Sequence, residues 1–265
     1  MSLRNKVAVV TGAGSGIGRA TAHAFSAEGS TVVLVGRTSK KLMESSRELQ
    51  GQTLTIQADI SNASDARRLI NETLSKFGRV DILVNNAGVE GPNKTAVDTT
   101  EEEWDNVMNI NLKGPFLCSK FALPAMKRQG GGVITNVSSN WGIVGAAHSV
   151  AYCASKAGII LLTKAMAIDH AKDGIVVNCV CPGDCDTEMI RRSIDATSKM
   201  STPHRNEGRL ISPEEVAQAI LYLVSDKARM TTGTVLILDN GATAGEGPQL
   251  LRSTGQGNQA SSSTH

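Results

Sequence analysis

Aromatic residues are scarce in this sequence, where two Trp, two Tyr and four Phe together make up 3% of 265 residues. A core of this size must therefore be built from Val, Ile, Leu and Ala. No apolar run approaches the length of a membrane span, and the N-terminal stretch MSLRNKVAVV lacks the long apolar run and cleavage site of a signal peptide. We therefore expect a cytoplasmic protein with no membrane partner.

Charge of one sign is also lacking, because the net charge is only +2. This balance gives no reason to expect a nucleic-acid partner. The five cysteines form no C-x-x-C motif, and no histidine lies near the run CVCPGDC: Cys118, Cys153, Cys179, Cys181 and Cys185. We therefore expect no metal site, and small buried thiols in a reducing compartment.

Short β-branched runs alternate with longer helical patterns along the chain. The predicted strands are 6–10, 30–35, 53–58, 80–85, 132–137, 174–180 and 234–238, and the main predicted helices are 17–28, 40–49, 63–77, 101–127, 151–172 and 213–225. Nearly continuous apolar strands between helices indicate a single-domain α/β Rossmann fold over residues 1–245, doubly wound, with helices on both faces of a seven-stranded, mostly parallel sheet. The Gly-, Ser- and Gln-rich residues 246–265 are predicted to form a disordered tail.

The first predicted strand runs directly into TGAGSGIG, residues 11–18. Ile17 breaks the G-x-G-x-x-G fingerprint, and the glycines Gly12, Gly16 and Gly18 give the spacing G-x-x-x-G-x-G instead. Glycines allow a tight turn, and the free N–H groups of the following helix suit a pyrophosphate. The pattern therefore predicts a dinucleotide site, although glycine turns also join strands to helices without any ligand.

The end of the second predicted strand decides which dinucleotide fits. An NAD-preferring site places an acid there for the ribose 2′-hydroxyl, but this sequence reads LVGRTSKK. Gly36 leaves space and Arg37 brings a guanidinium that suits a 2′-phosphate. We therefore favour NADP(H), with NAD(H) as the alternative if Arg37 is only a solvated arginine.

One of the two tyrosines, Tyr152, lies four residues before Lys156, which puts both on one face of a helix. A tyrosine titrates near 10, and a nearby ammonium would lower that pKa toward neutrality. Such a pair suits proton transfer, although a lone Tyr-x-x-x-Lys is also found between ordinary neighbours. The second tyrosine, Tyr222, is predicted to be a core residue of an amphipathic helix.

Seven features in order, with TGAGSGIG first and Tyr152-x-x-x-Lys156 sixth, show that the chain resembles the short-chain dehydrogenase/reductase family over about residues 5–245. The others are Asp59, NNAG at 85–88, Asn111 in NINLKG, Ser139 in NVSSN, and PGDCDT at 182–187. The resemblance implies hydride transfer between a nicotinamide cofactor and a small ketone or secondary alcohol. It also implies that Tyr152 is the acid/base, that Ser139 donates to the substrate oxygen and that Asn111 holds a water beside Lys156.

The same resemblance implies cofactor and substrate contacts. Those near the pyrophosphate, adenine and adenosine are Gly12, Ser15, Ile17, Gly18, Asp59, Ile60, Asn86, Ala87 and Gly88, and those near the nicotinamide are Pro182, Gly183, Cys185 and Thr187. Cys185 replaces the family's usual Val or Ile. The implied substrate lid covers about 186–212, with Met189, Trp141 and Val144 bordering the substrate.

Two other functions stay open from the sequence. A 3-oxoacyl-carrier-protein ketoreductase would present basic residues to an acidic carrier, but the segments before strands five and six supply only Arg128 and Lys172. A non-catalytic nucleotide-binding subunit is the alternative of a different class. The resemblance also implies a homotetramer or homodimer, formed through the helices of Asn111 and Tyr152 and through the last strand.

Overall fold

The computed structural model describes residues 2–191 and 209–245, and within them seven strands form one sheet. Their order across the sheet is β3-β2-β1-β4-β5-β6-β7, and every pairing between them is parallel. The sequence predicts a mostly parallel sheet, and the strands of the described sheet are all parallel. The strands are β1 Val7–Thr11, β2 Thr31–Gly36, β3 Thr53–Gln57, β4 Ile82–Asn85, β5 Gly132–Val137, β6 Ile175–Pro182 and β7 Val235–Leu238.

Helices cover both faces of this sheet. Their bounds are α1 Gly16–Ala27, α2 Ser39–Arg47, α3 Ala63–Phe77, α4 Glu101–Met108, α5 Gly114–Arg128, α6 Val150–His170 and α7 Pro213–Val224. In β1, Val7 and Val9 pack in the cluster that holds α3, α5 and α6, while Ala8 and Val10 pack with α1, α2 and α7. Alternate residues of one strand thus enter two cores, which explains why the strands read as continuous apolar runs.

The chain reverses its direction of winding between β1 and β4, which are neighbours in the sheet. In a doubly wound sheet, the loops leaving two such strands diverge and open a crevice at their carboxyl ends. The glycine turn follows β1. The NNAG segment begins at the last residue of β4 and continues beyond it. The topology therefore brings these two motifs together at one edge.

The predicted helix 101–127 is in fact α4 and α5 joined by a π-helical turn, Asn109–Lys113. Pro115 has no N–H to donate to the carbonyl of Asn111, and Gly114 instead donates its N–H to the Asn109 carbonyl, five residues back. A proline inside the pattern is a visible sign of this break. The wider turn carries Asn111, which is buried.

Of the lid predicted at 186–212, residues 192–208 lie outside the described part of the chain, as does the predicted tail at 246–265. Tyr222 is 37% exposed on α7, so its assignment to the core was wrong. By length and composition alone, Val150–Asp173 could cross a membrane, with a mean hydropathy of 1.3 over its most apolar window. This segment is α6 with its last turn, and it packs against β5 and β6. Of its most apolar window, 39% is buried in the structure.

Candidate active site

The glycine turn lies in close contact with the segment after β4. Gly12 has a φ of +68°, and a Cβ added there would lie 2.7 Å from Asn86 Nδ2. A Cβ on Gly18 would overlap the Gly12 carbonyl oxygen. These two positions require glycine because one is left-handed and the other brings α1 directly against the turn.

Thr11 ties the two motifs together at the ends of β1 and β4. Its hydroxyl accepts hydrogen bonds from the backbone N–H groups of Asn86 at 3.0 Å and Ala87 at 3.1 Å, and donates to the Val84 carbonyl. The Asn86 side chain donates in return to the Thr11 carbonyl at 2.9 Å. The floor of the cleft is thus fixed by hydrogen bonds within the protein.

The π turn aims the Asn111 side chain at the loop after β4. Asn111 Oδ1 accepts from the Val89 N–H at 2.8 Å, and Nδ2 donates to the Val89 carbonyl at 2.8 Å and to Ser155 Oγ at 3.2 Å. A Cβ added to Gly88 would lie 3.3 Å from Asn111 Oδ1 and 3.5 Å from Lys156 Nζ. Asn111 therefore braces this loop beside Lys156, and its holding of a water stays a prediction.

Helix α6 places Tyr152 and Lys156 on one face, as the spacing predicts. Lys156 Nζ lies 5.5 Å from the centroid of the Tyr152 ring and donates to the Val137 carbonyl at 3.0 Å. The Trp141 ring meets the Tyr152 ring edge-on, with centroids 6.0 Å apart. Ser139 is buried just beyond the end of β5, where its hydroxyl donates to Asn140 Oδ1 at 3.2 Å and lies beside the phenol. The side chains of Ser139, Tyr152 and Lys156 therefore converge.

The two titratable groups of this site have shifted pKa values. Burial raises the pKa of Tyr152 to about 12, the neighbouring Ser139 hydroxyl lowers it in part, and the charges of Glu90 and Asp184 add to the rise. Burial lowers the pKa of Lys156 from 10.5 to about 8. The expected lowering of the tyrosine pKa by the ammonium is therefore wrong for this structure, because Nζ points at the Val137 carbonyl and burial dominates.

The cleft at the carboxyl edge has two connected parts, one of about 620 Å³ and one of about 80 Å³, which share Tyr152 and Ser138. Predicted residues lining the larger part are Gly12, Ser15, Ile17, Arg37, Asp59, Ile60, Asn86, Ala87, Gly88, Lys156, Thr187 and Met189. Those lining the smaller part include Ser139, Trp141, Pro182, Gly183 and Cys185. One cleft thus joins the predicted nucleotide and substrate residues.

Three predicted residues do not line either part of this cleft. Gly18 and Asn111 lie just behind it, where they support the glycine turn and the loop after β4. Val144 is 44% exposed and lines neither part among the described residues, so its place at the substrate border stays a prediction. Its backbone N–H bonds to the Asn140 carbonyl, which turns the chain away after the 3₁₀ turn Asn140–Gly142.

Two carboxylates in the cleft were missed by the sequence reasoning. Glu90 lines both parts, and Asp184 lines the smaller part beside Gly183 and Cys185. Glu90 follows the NNAG motif by two positions, and Asp184 lies within PGDCDT. An acidic residue next to a cofactor motif is a signal that could have identified both.

Metal ligands are not grouped in the part of the chain that the structure describes, where no three His, Cys, Asp or Glu side chains come together. All five cysteines are free thiols, and only Cys153 is less than fully buried. Cys179 and Cys181 lie 3.9 Å apart at their sulfurs, within the core behind Lys156. The absence of a metal stays a prediction.

Comparison with known proteins shows which class of protein the chain is similar to. The family model described as Enoyl-(Acyl carrier protein) reductase matches residues 12–243. A 3-oxoacyl-(acyl-carrier-protein) reductase of Thermotoga maritima is 40% identical, over 91% of this chain and 99% of that protein. The meso-2,3-butanediol dehydrogenase of Serratia marcescens is 36% identical, over 93% and 98%. The crystal structure of levodione reductase superposes with a TM-score of 0.87 at 32% identity, over 92% and 99%.

These matches span nearly the whole described chain and agree with the motif order and the sheet topology. The protein belongs to the short-chain dehydrogenase/reductase family, and its fold is the single-domain Rossmann α/β fold of that family. It is an oxidoreductase of the kind that acts on alcohols and ketones.

Proposed function

We propose that this protein transfers a hydride between NADP(H) and a small ketone or secondary alcohol, with Tyr152 as the acid/base. The convergence of Ser139, Tyr152 and Lys156 where the two parts of the cleft meet is the observation that carries this proposal. The cofactor, when bound, supplies or accepts the hydride. The residues of this chain supply position and the proton.

The hydroxyl of Tyr152 is the proton donor to the developing alkoxide during carbonyl reduction. Its pKa, raised to about 12, keeps it protonated at neutral pH. Ser139 is fixed by the N–H of Trp141, which donates to Ser139 Oγ at 3.1 Å, and its hydroxyl can stabilise charge on the substrate oxygen. The Trp141 ring holds the tyrosine ring edge-on. The site therefore suits a proton-coupled reduction.

Support for NADP(H) comes from the end of β2. Arg37 lines the cleft there with an exposed side chain, and its own carbonyl accepts from Gln57 Nε2 at 3.0 Å, which fixes the backbone. Gly36 also lines the cleft and carries no side chain there. A guanidinium in this place can bind a 2′-phosphate with two parallel hydrogen bonds.

The experiment is a titration of the purified protein with NADPH and with NADH, followed by nicotinamide fluorescence. We expect NADPH to bind at least about tenfold tighter, and Arg37→Ala to erase that difference because the 2′-phosphate loses its cation. Arg47→Ala, an exposed arginine at the end of α2, is the control and should keep the preference. Equal or tighter binding of NADH would make NAD(H) the cofactor and oxidation of secondary alcohols the first activity to assay.

Turnover of a ketone panel then separates an enzyme from a non-catalytic nucleotide-binding subunit. Tyr152→Phe should keep NADPH affinity and lose nearly all turnover, since only the hydroxyl that gives the proton is removed. A wild-type protein that binds NADPH but reduces no carbonyl, or a Tyr152→Phe variant with substantial activity, would refute Tyr152 as the acid/base.

A carrier-protein ketoreductase is the second candidate, favoured by the 40% identity to the Thermotoga maritima reductase. Arg128 and Lys172 do not bear on this choice. These residues precede β5 and β6, so they lie at the amino edge of the sheet, opposite the cleft. Comparing acetoacetyl thioesters with simple cyclic ketones as substrates decides between the two functions.

We further propose a cytoplasmic homotetramer or homodimer. Leu161 and Ile168 on α6 and Ile237 on β7 are 67%, 79% and 44% exposed, which supports subunit contacts on these elements. Five free thiols support a reducing location. Light scattering coupled to size-exclusion chromatography gives the assembly, and a monomeric mass would refute this part.

A further inference from the structure

An ion pair spans the mouth of the nucleotide part of the cleft. Lys41 Nζ, on α2, lies 2.7 Å from Glu188 Oε2 and 3.0 Å from Oε1. Glu188 opens the helical segment 188–191, far from α2 in the sequence. Both residues line the larger part of the cleft. The pair therefore joins two opposite walls of one site.

The glycine turn lies beneath this pair. A Cβ added to Gly14 would lie 3.0 Å from Lys41 Cβ, and one added to Gly16 would lie 3.1 Å from Thr187 Cγ2. Lys41 and Thr187 thus contact the turn from its two sides, and Glu188, next to Thr187, completes the bridge above it. The N–H groups of such a turn are the binding site of a pyrophosphate. A dinucleotide on the turn would lie under the ion pair.

The contrast with Arg37 shows that Lys41 has a different task. Within residues 2–191 and 209–245, Arg37 makes no ion pair, and its guanidinium can meet a 2′-phosphate. Lys41 is already engaged by both oxygens of one carboxylate. Its charge is directed across the cleft and not toward the end of β2.

We propose that Lys41 and Glu188 form a strap that retains the dinucleotide after it has bound. The pair must open for the nucleotide to leave, so it slows dissociation. Because the strap crosses the pyrophosphate region, which NADPH and NADH share, it acts on both to the same extent. This inference rests on the proposed nucleotide-binding function and adds retention to the selectivity assigned to Arg37.

The expected effect is modest because the pair is partly solvated. The side chain of Lys41 is 43% exposed and that of Glu188 is 54% exposed. Exposed ion pairs of this kind change an equilibrium by about two- to fivefold, and salt screens them. Dissociation of the wild-type complex should therefore accelerate as ionic strength rises.

The test measures dissociation rates by stopped-flow fluorescence, with NADPH or NADH chased from the protein by an excess of the oxidised nucleotide. Lys41→Met and Glu188→Gln should each release both nucleotides about two- to fivefold faster. The double variant should be no faster than either single one, and the exchanged pair K41E/E188K should return the rates toward wild type. Lys40→Met, on the same helix but outside the cleft lining, is the control and should change nothing.

Three results would overturn the strap. Lys41→Met could speed release of NADPH alone, which would make Lys41 a ligand of the 2′-phosphate. The exchanged pair could release nucleotide as fast as the single variants, or the single variants could release it at the wild-type rate. A wild-type protein that binds neither nucleotide would instead refute the proposed function, so the two failures are distinguishable.

Discussion

Replacing Lys156 with methionine is expected to stabilise the folded protein while removing its activity. Lys156 is 5% exposed, and burial lowers the pKa of its ammonium from 10.5 to about 8. At 1.36 kcal/mol per pKa unit, this difference means that keeping the charged form in the folded state costs about 3 kcal/mol at neutral pH. Methionine fills a similar volume without that charge.

One contribution opposes this gain. Lys156 Nζ donates a hydrogen bond to the Val137 carbonyl at 3.0 Å, and losing it costs about 1 kcal/mol. The net effect at pH 7 is therefore a stabilisation of about 2 kcal/mol, which corresponds to a rise in Tm of about 5 °C for a chain of this size.

The pH dependence gives the sharper signature. Between the folded pKa of about 8 and the unfolded value of 10.5, the unfolded chain binds more protons at Lys156 than the folded one, so wild-type stability rises with pH. The penalty is complete below about pH 8 and disappears above 10.5. The advantage of Lys156→Met should therefore be constant up to about pH 8 and shrink above it.

The assay is thermal or urea unfolding of wild type and Lys156→Met from pH 6 to 10, without added nucleotide. Lys164→Met, an exposed lysine on the same helix, is the control and should leave stability nearly unchanged. A Lys156→Met variant less stable than wild type at pH 7, or an advantage that does not depend on pH, would refute the reasoning.

Two further predictions concern the carboxylate of Glu90 and the glycine turn. Glu90→Gln should lower the pKa of Tyr152, because the carboxylate charge contributes to its rise. Tyrosinate absorbance in a Tyr222→Phe background reports the titration of Tyr152 alone. An unchanged or higher titration midpoint would contradict this. Gly18→Ala should weaken NADPH binding at least about tenfold, because its Cβ would overlap the Gly12 carbonyl, whereas Gly145→Ala, with open space around it, should bind NADPH as wild type does in the same fluorescence titration.

The strands could be predicted within one or two residues, because the central ones are buried on both faces. β1 shows why this works: Val7 and Val9 enter one core and Ala8 and Val10 the other, so the run VAVV has no polar position. The helix over 101–127 was wrong as one unbroken element: Pro115 signals a break, but the hydrophobic pattern does not show that Gly114 bonds five residues back to Asn109 in a π turn.

The site was predictable where its chemistry is fixed by spacing. The four-residue separation of Tyr152 and Lys156 predicts that they share one face of a helix. The order of the motifs predicts that they meet in one cleft. Protonation could not be read in the same way, because it depends on burial and on charges from distant segments. Glu90 and Asp184 reach Tyr152 from the loops after β4 and β6, and nothing in the Tyr-x-x-x-Lys spacing indicates them.

Burial shifts the pKa values of Tyr152 and Lys156 in opposite directions. Burial favours the uncharged form of each group, so the phenol keeps its proton and the ammonium holds its own less firmly. A neutral phenol is the form that donates a proton to a carbonyl oxygen, whereas oxidation of an alcohol needs the phenolate. With Tyr152 as the proposed acid/base, we therefore expect reduction to be favoured near neutral pH. The rate of alcohol oxidation should rise with pH as more phenolate forms. This rise needs Lys156 to stay charged, so it should level off near pH 8, the pKa of Lys156.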